Sequence, residues 1–193
     1  GGIDDVTFEA IVGDRFNKIR AIPTAMARSA ARTLFKFVMD MITTGNAAVD
    51  YDSVALYDST HGNTGTTALS LNGLDVTQRA MRDQAAYNES SELLGARNQI
   101  KFLIVPNELE MRAQRILNPS AGYSIYMLDT TAAAGSGATG IDPEAFKGRG
   151  IEHIVYDQLT NATDWWAVAD PKQVATMVMG FLGGQQEPEL FVQ

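Results

Sequence analysis

The chain of 193 residues contains no cysteine. It can therefore form neither a disulfide framework nor a thiolate metal site, and it is compatible with a reducing cytosol. No apolar run approaches the roughly 20 residues that a helix needs to cross a bilayer. We therefore expect neither a membrane-spanning helix nor a secretion signal.

Basic residues are also scarce, since 15 lysines and arginines stand against 23 aspartates and glutamates and give a net charge of −8. An acidic balance of this size argues against tight nucleic-acid binding, which requires a basic surface to hold phosphates. The 45% hydrophobic content is sufficient for the core of one or two globular domains. Because the first residue is glycine, we expect that an upstream segment was removed by processing, truncation or tag cleavage.

Two helices are predicted near the start of the chain. Residues 4–20 have apolar positions at helical spacing, and Pro23 is expected to interrupt the helix because proline removes a backbone donor. Thr24 then caps a second helix that runs to Thr43 and ends at Gly45, about 30 Å long. Its predicted buried residues are Leu34, Phe35, Val38, Met41 and Ile42.

Four charged residues of this second helix recur at intervals of four: Arg28, Arg32, Lys36 and Asp40. This spacing places them along one edge of the helix. The edge is either an ordinary solvent-exposed surface or a contact with another subunit. Arg28, Arg32 and Lys36 are therefore candidate interface residues.

The next region is predicted to be a loop followed by a helix. Residues 45–67 are rich in turn formers and have one short possible strand at Val54 to Tyr57. Ser70 or Asn72 then caps a helix to about Tyr87. Its predicted buried residues are Leu74, Val76, Met81 and Ala85, whereas Arg79, Arg82 and Asp83 face water. A polar connection over residues 88–98 is predicted to cover Leu93 and Leu94.

Residues 100–105 show no polar alternation after Lys101, which predicts a strand at the centre of a sheet, covered on both faces. Pro106 ends it, and Asn107 is expected to cap a helix that ends near Asn118. Glu108 and Glu110 place negative charge in the first turn, where the helix dipole favours it.

The last third of the chain combines a variable loop with short strands. Residues 118–150 are rich in small residues, and a mobile loop is expected over 130–140. Three strands are predicted at 151–156, 165–169 and 174–182, with an edge strand or tail at 189–193. Adjacent Trp165 and Trp166 should point to opposite faces, one into the core and one towards a neighbour. They are candidate interface residues, together with Gly135 and Gly137 of the loop.

Only two histidines, His61 and His153, could support imidazole chemistry. His61 with Asp58 and a nearby hydroxyl is a candidate hydrolase site, but no GxSxG motif supplies a nucleophile elbow or oxyanion hole. His153 shares a predicted strand face with Ile151 and Val155, which is typical of packing. Neither histidine has the spacing of a metal site. A nucleotide-binding module at 100–108 would lack its glycines, so we expect no catalytic residue, metal or cofactor.

Several motifs together point to a family. They are HGNTGTTALS at 61–70, LDVTQRAMRDQ at 74–84, KFLIVP followed by NELEMRAQRIL at 101–117, DWWAVADP at 164–171, and FLGGQQEPEL at 181–190. In this order and spacing they resemble the major capsid protein of tailed bacteriophages, specifically the Mu-like major head subunit.

This resemblance implies an α+β chain with the Hong Kong 97-type shell fold. Residues 1–45 would belong to the peripheral domain, with its spine helix at about 24–43, and residues 46–172 would form the axial domain. The axial domain would hold a mixed sheet flanked by helices and a flexible loop within 118–148. Strands in 173–193 would return to the peripheral domain. The N-terminal arm and extended loop of that fold have no counterpart in the sequence.

The resemblance also implies a structural protein with no catalytic residue and no cofactor. Such subunits assemble as pentamers and hexamers into an icosahedral head that encloses DNA without base-specific binding, in the virion and, before assembly, in the host cytoplasm. Portal, scaffold and decoration proteins are the implied partners, and the source could be a phage or a prophage. Without the clasping arms, association must overcome several kcal/mol of lost rigid-body freedom. We therefore expect the isolated chain to be monomeric or weakly oligomeric. An encapsulin-like compartment is the alternative within this fold.

Overall fold

The computed structural model describes residue 13 and residues 18–49, 52–86, 89–119, 145–174 and 177–181. Helices and two small sheets confirm the α+β class. The chain divides into two compact units, Gly1–Gly45 with Met179–Gln193, and Asn46–Val178. Their assignment to peripheral and axial domains remains a prediction. Within the described ranges, no helix is both long and apolar enough to cross a bilayer.

Helix α1 of the first unit spans Lys18–Asp40 and continues as a π-helical turn over Met41–Gly45. The predicted break at Pro23 and the predicted cap at Thr24 are wrong, since one helix includes both residues. Pro23 lies in the second turn, where it removes one backbone hydrogen bond while its fixed φ still suits a helix. The helical prediction for residues 4–17 lies outside the described residues, apart from Gly13.

The second unit begins with irregular segments over residues 46–49 and 52–70. The predicted strand at Val54 to Tyr57 is reduced to an isolated antiparallel bridge between Ala48 and Ala55. A single 3-10 turn follows at Ser59–His61. The segment is held mainly by side chains that bond to its own backbone, which explains why no regular strand forms.

Helix α2 spans Leu71–Arg82 and confirms the predicted cap, because the Ser70 hydroxyl accepts a hydrogen bond from the Gly73 amide at 2.9 Å. The buried face carries Leu71, Leu74 and Gln78 at helical spacing. The predicted burial of Val76 is wrong, since its side chain is 44% exposed. Val76 follows Leu74 by two residues, which turns it to the opposite side of the helix.

Helix α2 ends at Arg82, before the predicted end at Tyr87. The chain reverses there into a hairpin of strands β1, Ala85–Ala86, and β2, Glu89–Leu93. Ala85 is therefore exposed on a strand and not buried on a helix. Leu93, predicted to lie beneath a polar connection, is 54% exposed on β2.

Strand β3, Ile100–Val105, is central as predicted. Strand β4, Glu152–Val155, pairs with it in parallel, and strand β5, Trp166–Ala169, pairs with it antiparallel on the other side. The strand predicted at 174–182 is wrong for its described residues, Val174 and 177–181, which have no strand. Val178 is 86% exposed, which is not the burial expected of an apolar residue in a sheet. The predictions for 130–140 and 189–193 lie outside the described residues.

Helix α3 spans Asn107–Leu117, with Glu108 and Glu110 in its first turn as predicted. The predicted cap at Asn107 is wrong by one position. Pro106 has the extended backbone of a cap residue, and its carbonyl accepts the Leu109 amide at 3.1 Å. Asn107 is consequently the first helical residue.

The core of the second unit lies between one face of the sheet and the two helices α2 and α3. Leu74 and Leu103 are fully buried at its centre. The complete buried cluster consists of Leu69, Leu71, Leu74, Ile100, Leu103, Val105, Ala113, Ile116, Leu117 and Phe146. Burial of this apolar set is the main force holding sheet and helices together.

Candidate subunit interface

The basic edge predicted on the long helix is present on α1. Arg28, Arg32 and Lys36 are all exposed and follow each other at intervals of one helical turn. Cationic heads in such a row present a continuous positive strip to solvent or to an acidic partner.

A second exposed feature of α1 is apolar. Leu34, Phe37 and Met41 follow each other at helical spacing and are 38%, 60% and 43% exposed. At about 100° per residue, these three positions lie on the side of the helix away from the basic edge. We call Leu34, Phe37 and Met41 the apolar stripe. Exposed large apolar side chains grouped in this way make the stripe a candidate contact surface.

The predicted burial of Leu34, Phe35 and Met41 is therefore wrong. Phe35 is 51% exposed, whereas Met39 is only 5% exposed and Thr43 only 7% exposed. The Thr43 hydroxyl donates to the Met39 carbonyl at 2.8 Å, which holds the π-helical turn against the end of α1. Helical periodicity identified apolar positions correctly but could not show whether the chain itself covers them.

The two tryptophans behave differently from one another. Trp165 packs against the core cluster, and its indole N–H donates to the Thr67 carbonyl at 3.0 Å. Trp166 lies on β5 opposite Ile104 of β3 and is half-buried. Successive residues of a strand point to opposite faces, so Trp166 lies on the face away from this cluster. Gly135 and Gly137 lie outside the described residues.

His61 is the centre of a polar cluster in the loop before α2. Its Nε2 lies 2.8 Å from Asp52 Oδ2, and its Nδ1 lies 3.1 Å from the Leu56 carbonyl. The same carbonyl accepts a hydrogen bond from Asn63 Nδ2 at 2.7 Å. The His61 side chain is only 13% exposed. The cluster thus fixes a tight reversal of the chain.

Electrostatics favour a positively charged His61. Hydrogen bonds to the Asp52 carboxylate and the Leu56 carbonyl raise the pKa of His61, and the charges of Asp52 and Asp58 raise it further. The hydrogen bond from His61 and the Val54 amide lower the pKa of Asp52. The two side chains therefore form an ion pair while the imidazole is protonated and the carboxylate is ionised.

The hydrolase hypothesis paired His61 with Asp58. In the structure, however, Asp58 and Asp52 have different roles. Asp58 accepts the Thr60 amide at 2.8 Å and caps the 3-10 turn, while Asp52 binds the imidazole. With both ring nitrogens directed at acceptor oxygens, His61 offers no lone pair to take a proton from a hydroxyl. This arrangement suits structure better than general-base catalysis.

His153 lies on β4 in register with Leu103 of β3 and is half-buried, as expected for a packing residue. Throughout the described ranges, no group of three or more histidine, aspartate and glutamate side chains could hold a metal ion. Sequence reasoning missed Asp52 and Leu56 as partners of His61. Asp52 lies nine residues before His61, and no local pattern marks that separation.

A family model described as phage capsid protein matches residues 1–193, the whole chain. Neither a curated protein nor a solved structure matches the chain.

Proposed function

Because the chain belongs to the phage capsid protein family, we propose that it is the major capsid subunit of a tailed phage or prophage. In this role it assembles into an icosahedral head that encloses DNA. The family match over residues 1–193 carries the proposal. Membership in this family is evidence for a structural protein of the virion capsid, not an enzyme.

The finer form of the proposal is a Hong Kong 97-type subunit similar to the Mu-like major head subunit. Two observations support it: a long helix, α1, in one unit, and a mixed sheet flanked by helices α2 and α3 in the other. In this proposal α1 is the spine of the peripheral domain, and residues 46–172, which lie within the unit Asn46–Val178, form the axial domain. Residues 118–148 would contribute a loop near the capsomer centre.

The apolar stripe of α1 is the surface we assign to contact with a second copy. A capsid wall consists of many copies of its subunit, so each copy needs surfaces that are complementary to those of its neighbours in the assembled shell. Phe37, 60% exposed, is the most exposed member of the stripe. A buried aromatic residue is the typical energetic centre of such contacts.

Charge complementarity suggests that the basic edge also contacts a second copy of the chain. The chain has a net charge of −8, so the average surface of a second copy is acidic. Arg28, Arg32 and Lys36 would meet that surface with favourable electrostatics, which fixes orientation more than it adds affinity. In the second unit, Trp166 and the loop residues Gly135 and Gly137 are separate candidates for contact with other subunits.

An acidic subunit also suits the enclosure of DNA. A wall with net negative charge does not hold phosphates tightly, so DNA is retained by confinement and not by base recognition. Portal, scaffold and decoration proteins are the further partners that this role requires.

Electron microscopy of the assembly products of the complete gene product tests the function. Closed shells that contain DNA when the phage head genes are expressed together are the expected result. Shells that contain a specific protein cargo would instead favour the encapsulin-like alternative. Failure to form any closed particle under these conditions would contradict both.

The interface is tested separately by sedimentation of the chain over a wide concentration range. Phe37→Asp places a charge in the apolar stripe and should weaken self-association at least about tenfold, a loss of roughly 1.4 kcal/mol. Ala31→Asp adds the same charge at another exposed position of α1 and should leave association unchanged. Equal association of the wild-type chain and Phe37→Asp would exclude the stripe as an interface and leave the capsid function standing.

The alternative from another class, a hydrolase that uses His61, has weaker support because both ring nitrogens contact acceptors. Comparison of wild-type and His61→Ala chains across ester and amide substrates tests it. A turnover that depends on His61 would revive this alternative.

A further inference from the structure

The loop before α2 is closed by a ring of hydrogen bonds around Leu56. Asn46 accepts the Tyr57 amide at 2.7 Å and donates to the Tyr57 carbonyl at 3.3 Å. Asn63 accepts the Asp58 amide at 3.2 Å and donates to the Leu56 carbonyl. The side-chain amides of Asn46 and Asn63 do not titrate at ordinary pH, so these hydrogen bonds do not depend on pH. His61 is the one member of the ring whose hydrogen-bonding pattern changes with protonation near neutrality.

The surroundings of the His61 ring require two donors. Asp52 Oδ2, at 2.8 Å from Nε2, is a carboxylate oxygen, and the Leu56 oxygen, at 3.1 Å from Nδ1, is a carbonyl. Neither oxygen can donate, so both ring nitrogens must carry a proton to complete both bonds. A neutral imidazole has only one N–H and would direct a lone pair at one of these oxygens.

We propose that His61, Asp52 and the Leu56 carbonyl form a proton-operated latch that holds residues 52–63 closed while the imidazole is charged. Loss of one proton breaks one of the two ring contacts. The Asp52 contact is the stronger because its acceptor is charged. The neutral ring therefore keeps the proton on Nε2, and Nδ1 is repelled by the Leu56 carbonyl. The turn loosens because this carbonyl loses the bond from His61 and keeps the one from Asn63.

The other charges around the ring act in the same direction. Asp52 and Asp58 are charged groups that act on the imidazole, and both are anionic near neutrality. From the neighbouring segment after α2, the neutral Gln84 side chain donates to the His61 carbonyl at 3.4 Å. The two carboxylates favour the charged imidazole and therefore the closed latch in mild acid.

The sign of the pH dependence follows from the two pKa shifts. The pKa of His61 is raised, so its contribution to stability is complete below the ordinary value of roughly 6.5 and is lost as pH rises through the folded value. The pKa of Asp52 is lowered, so its contribution is present above roughly 3.9 and is lost only as pH falls through the folded value. The latch is therefore closed in mild acid and opens towards alkaline pH.

A chain of amide side chains connects the latch to the core. Gln84 also accepts a hydrogen bond from Asn98 Nδ2 at 3.2 Å. Gln78 donates to the Asn98 carbonyl at 3.4 Å and accepts the Ile100 amide at 3.2 Å. Because Gln84 contacts the backbone carbonyl of His61 and not its ring, movement of the turn reaches this network, and through it the first residue of β3, by way of the main chain.

Nuclear magnetic resonance of the whole chain from about pH 5 to about pH 9 tests the latch, because this range spans the ordinary histidine pKa. His153→Asn leaves His61 as the one imidazole for assignment, since the chain has two histidines. We expect ring nitrogen shifts of a doubly protonated imidazole at low pH. The titration midpoint of the His61 ring should be higher in the folded chain than in the same chain unfolded in urea. The backbone signals of residues 52–63 should change with the same midpoint as the ring. The proposal would be overturned by a His61 midpoint at or below the value in urea. It would also be overturned if the backbone signals of residues 52–63 did not change as the ring titrates.

Asp52→Asn provides the matched perturbation because it keeps the acceptor oxygen and removes the charge. It should shift the His61 midpoint and the loop transition together to lower pH. Asp157→Asn, which removes a carboxylate from the exposed turn after β4, should shift neither. An unshifted midpoint in folded Asp52→Asn would show that Asp52 does not hold the proton. The wild-type titration decides the proposal by itself if this variant does not fold.

Discussion

Trp165 donates its indole N–H to the backbone carbonyl of Thr67, 98 positions earlier in the chain, with 3.0 Å between nitrogen and oxygen. The tryptophan directly precedes β5, and Thr67 lies in the loop that leads into α2. The ring also packs against the core cluster. One side chain therefore joins the edge of the sheet to the start of a helix, which leaves Trp166 as the tryptophan better placed for a subunit contact.

Trp165→Phe should lower the free energy of unfolding by about 1 kcal/mol, because phenylalanine keeps most of the packing but has no hydrogen-bond donor. Urea unfolding followed by circular dichroism measures the change. Trp166→Phe removes an indole for which the described contacts show no hydrogen bond, and it should have a smaller effect. Equal losses in the two variants would mean that ring volume, not the hydrogen bond, determines the result.

Gly73→Ala should destabilise the chain, although alanine ordinarily stabilises a helix interior by roughly 0.5–1 kcal/mol relative to glycine. A Cβ at residue 73 would lie 2.4 Å from the Ala68 carbonyl oxygen, far inside contact distance. The N-terminal turn of α2 would have to move away from the preceding loop. Thermal unfolding should therefore show a lower midpoint.

Gly65→Ala is the control for that substitution, since a Cβ there meets nothing within 4 Å. It should be neutral or stabilise by roughly 0.4–1 kcal/mol through a less flexible unfolded chain. If Gly73→Ala raised the unfolding midpoint instead, the loop before α2 would be shown to move away from the new Cβ at little energetic cost.

Asn98→Ala should cost about 1–3 kcal/mol, because it removes a buried donor and leaves two partly buried acceptors without it. Asn98 is 4% exposed, and its Nδ2 donates to the Met81 carbonyl at 2.6 Å and to Gln84 Oε1 at 3.2 Å. Chemical denaturation measures the loss. Gln99→Ala, at the exposed neighbouring position, should stay within about 0.5 kcal/mol of wild type. Similar values for both would show that water replaces the Asn98 contacts.

The parts of the fold that local chemistry determines were predictable from sequence. Strand β3 was identified by an apolar run that ends at Pro106, and its central position followed from the absence of polar alternation. The Ser70 cap was likewise identified from one hydroxyl at the right offset. In both cases the determining atoms lie within a few residues of each other.

Long-range determinants were not predictable in this way. Helical periodicity marked Leu34 and Met41 as apolar positions, yet both are exposed because no described element of their unit covers them. Sequence proximity suggested Asp58 as the partner of His61, but the 3-10 turn uses Asp58 as its cap. Asp52 reaches the ring only because the intervening loop reverses, and that reversal depends on side-chain bonds from Asn63.

Leu103→Ala should produce the largest loss of stability among these substitutions. Leu103 is 0% exposed and lies on the central strand, in register with His153 on one side and Ala167 on the other. Removing a large buried side chain costs about 2–5 kcal/mol, because the lost transfer energy is increased by the cavity that remains. Val76→Ala, at a position 44% exposed on α2, should change the free energy of unfolding by no more than about 0.5 kcal/mol. A loss below about 1 kcal/mol for Leu103→Ala would show that the sheet and helices close over the cavity, and the core would then be less rigidly packed than its burial indicates.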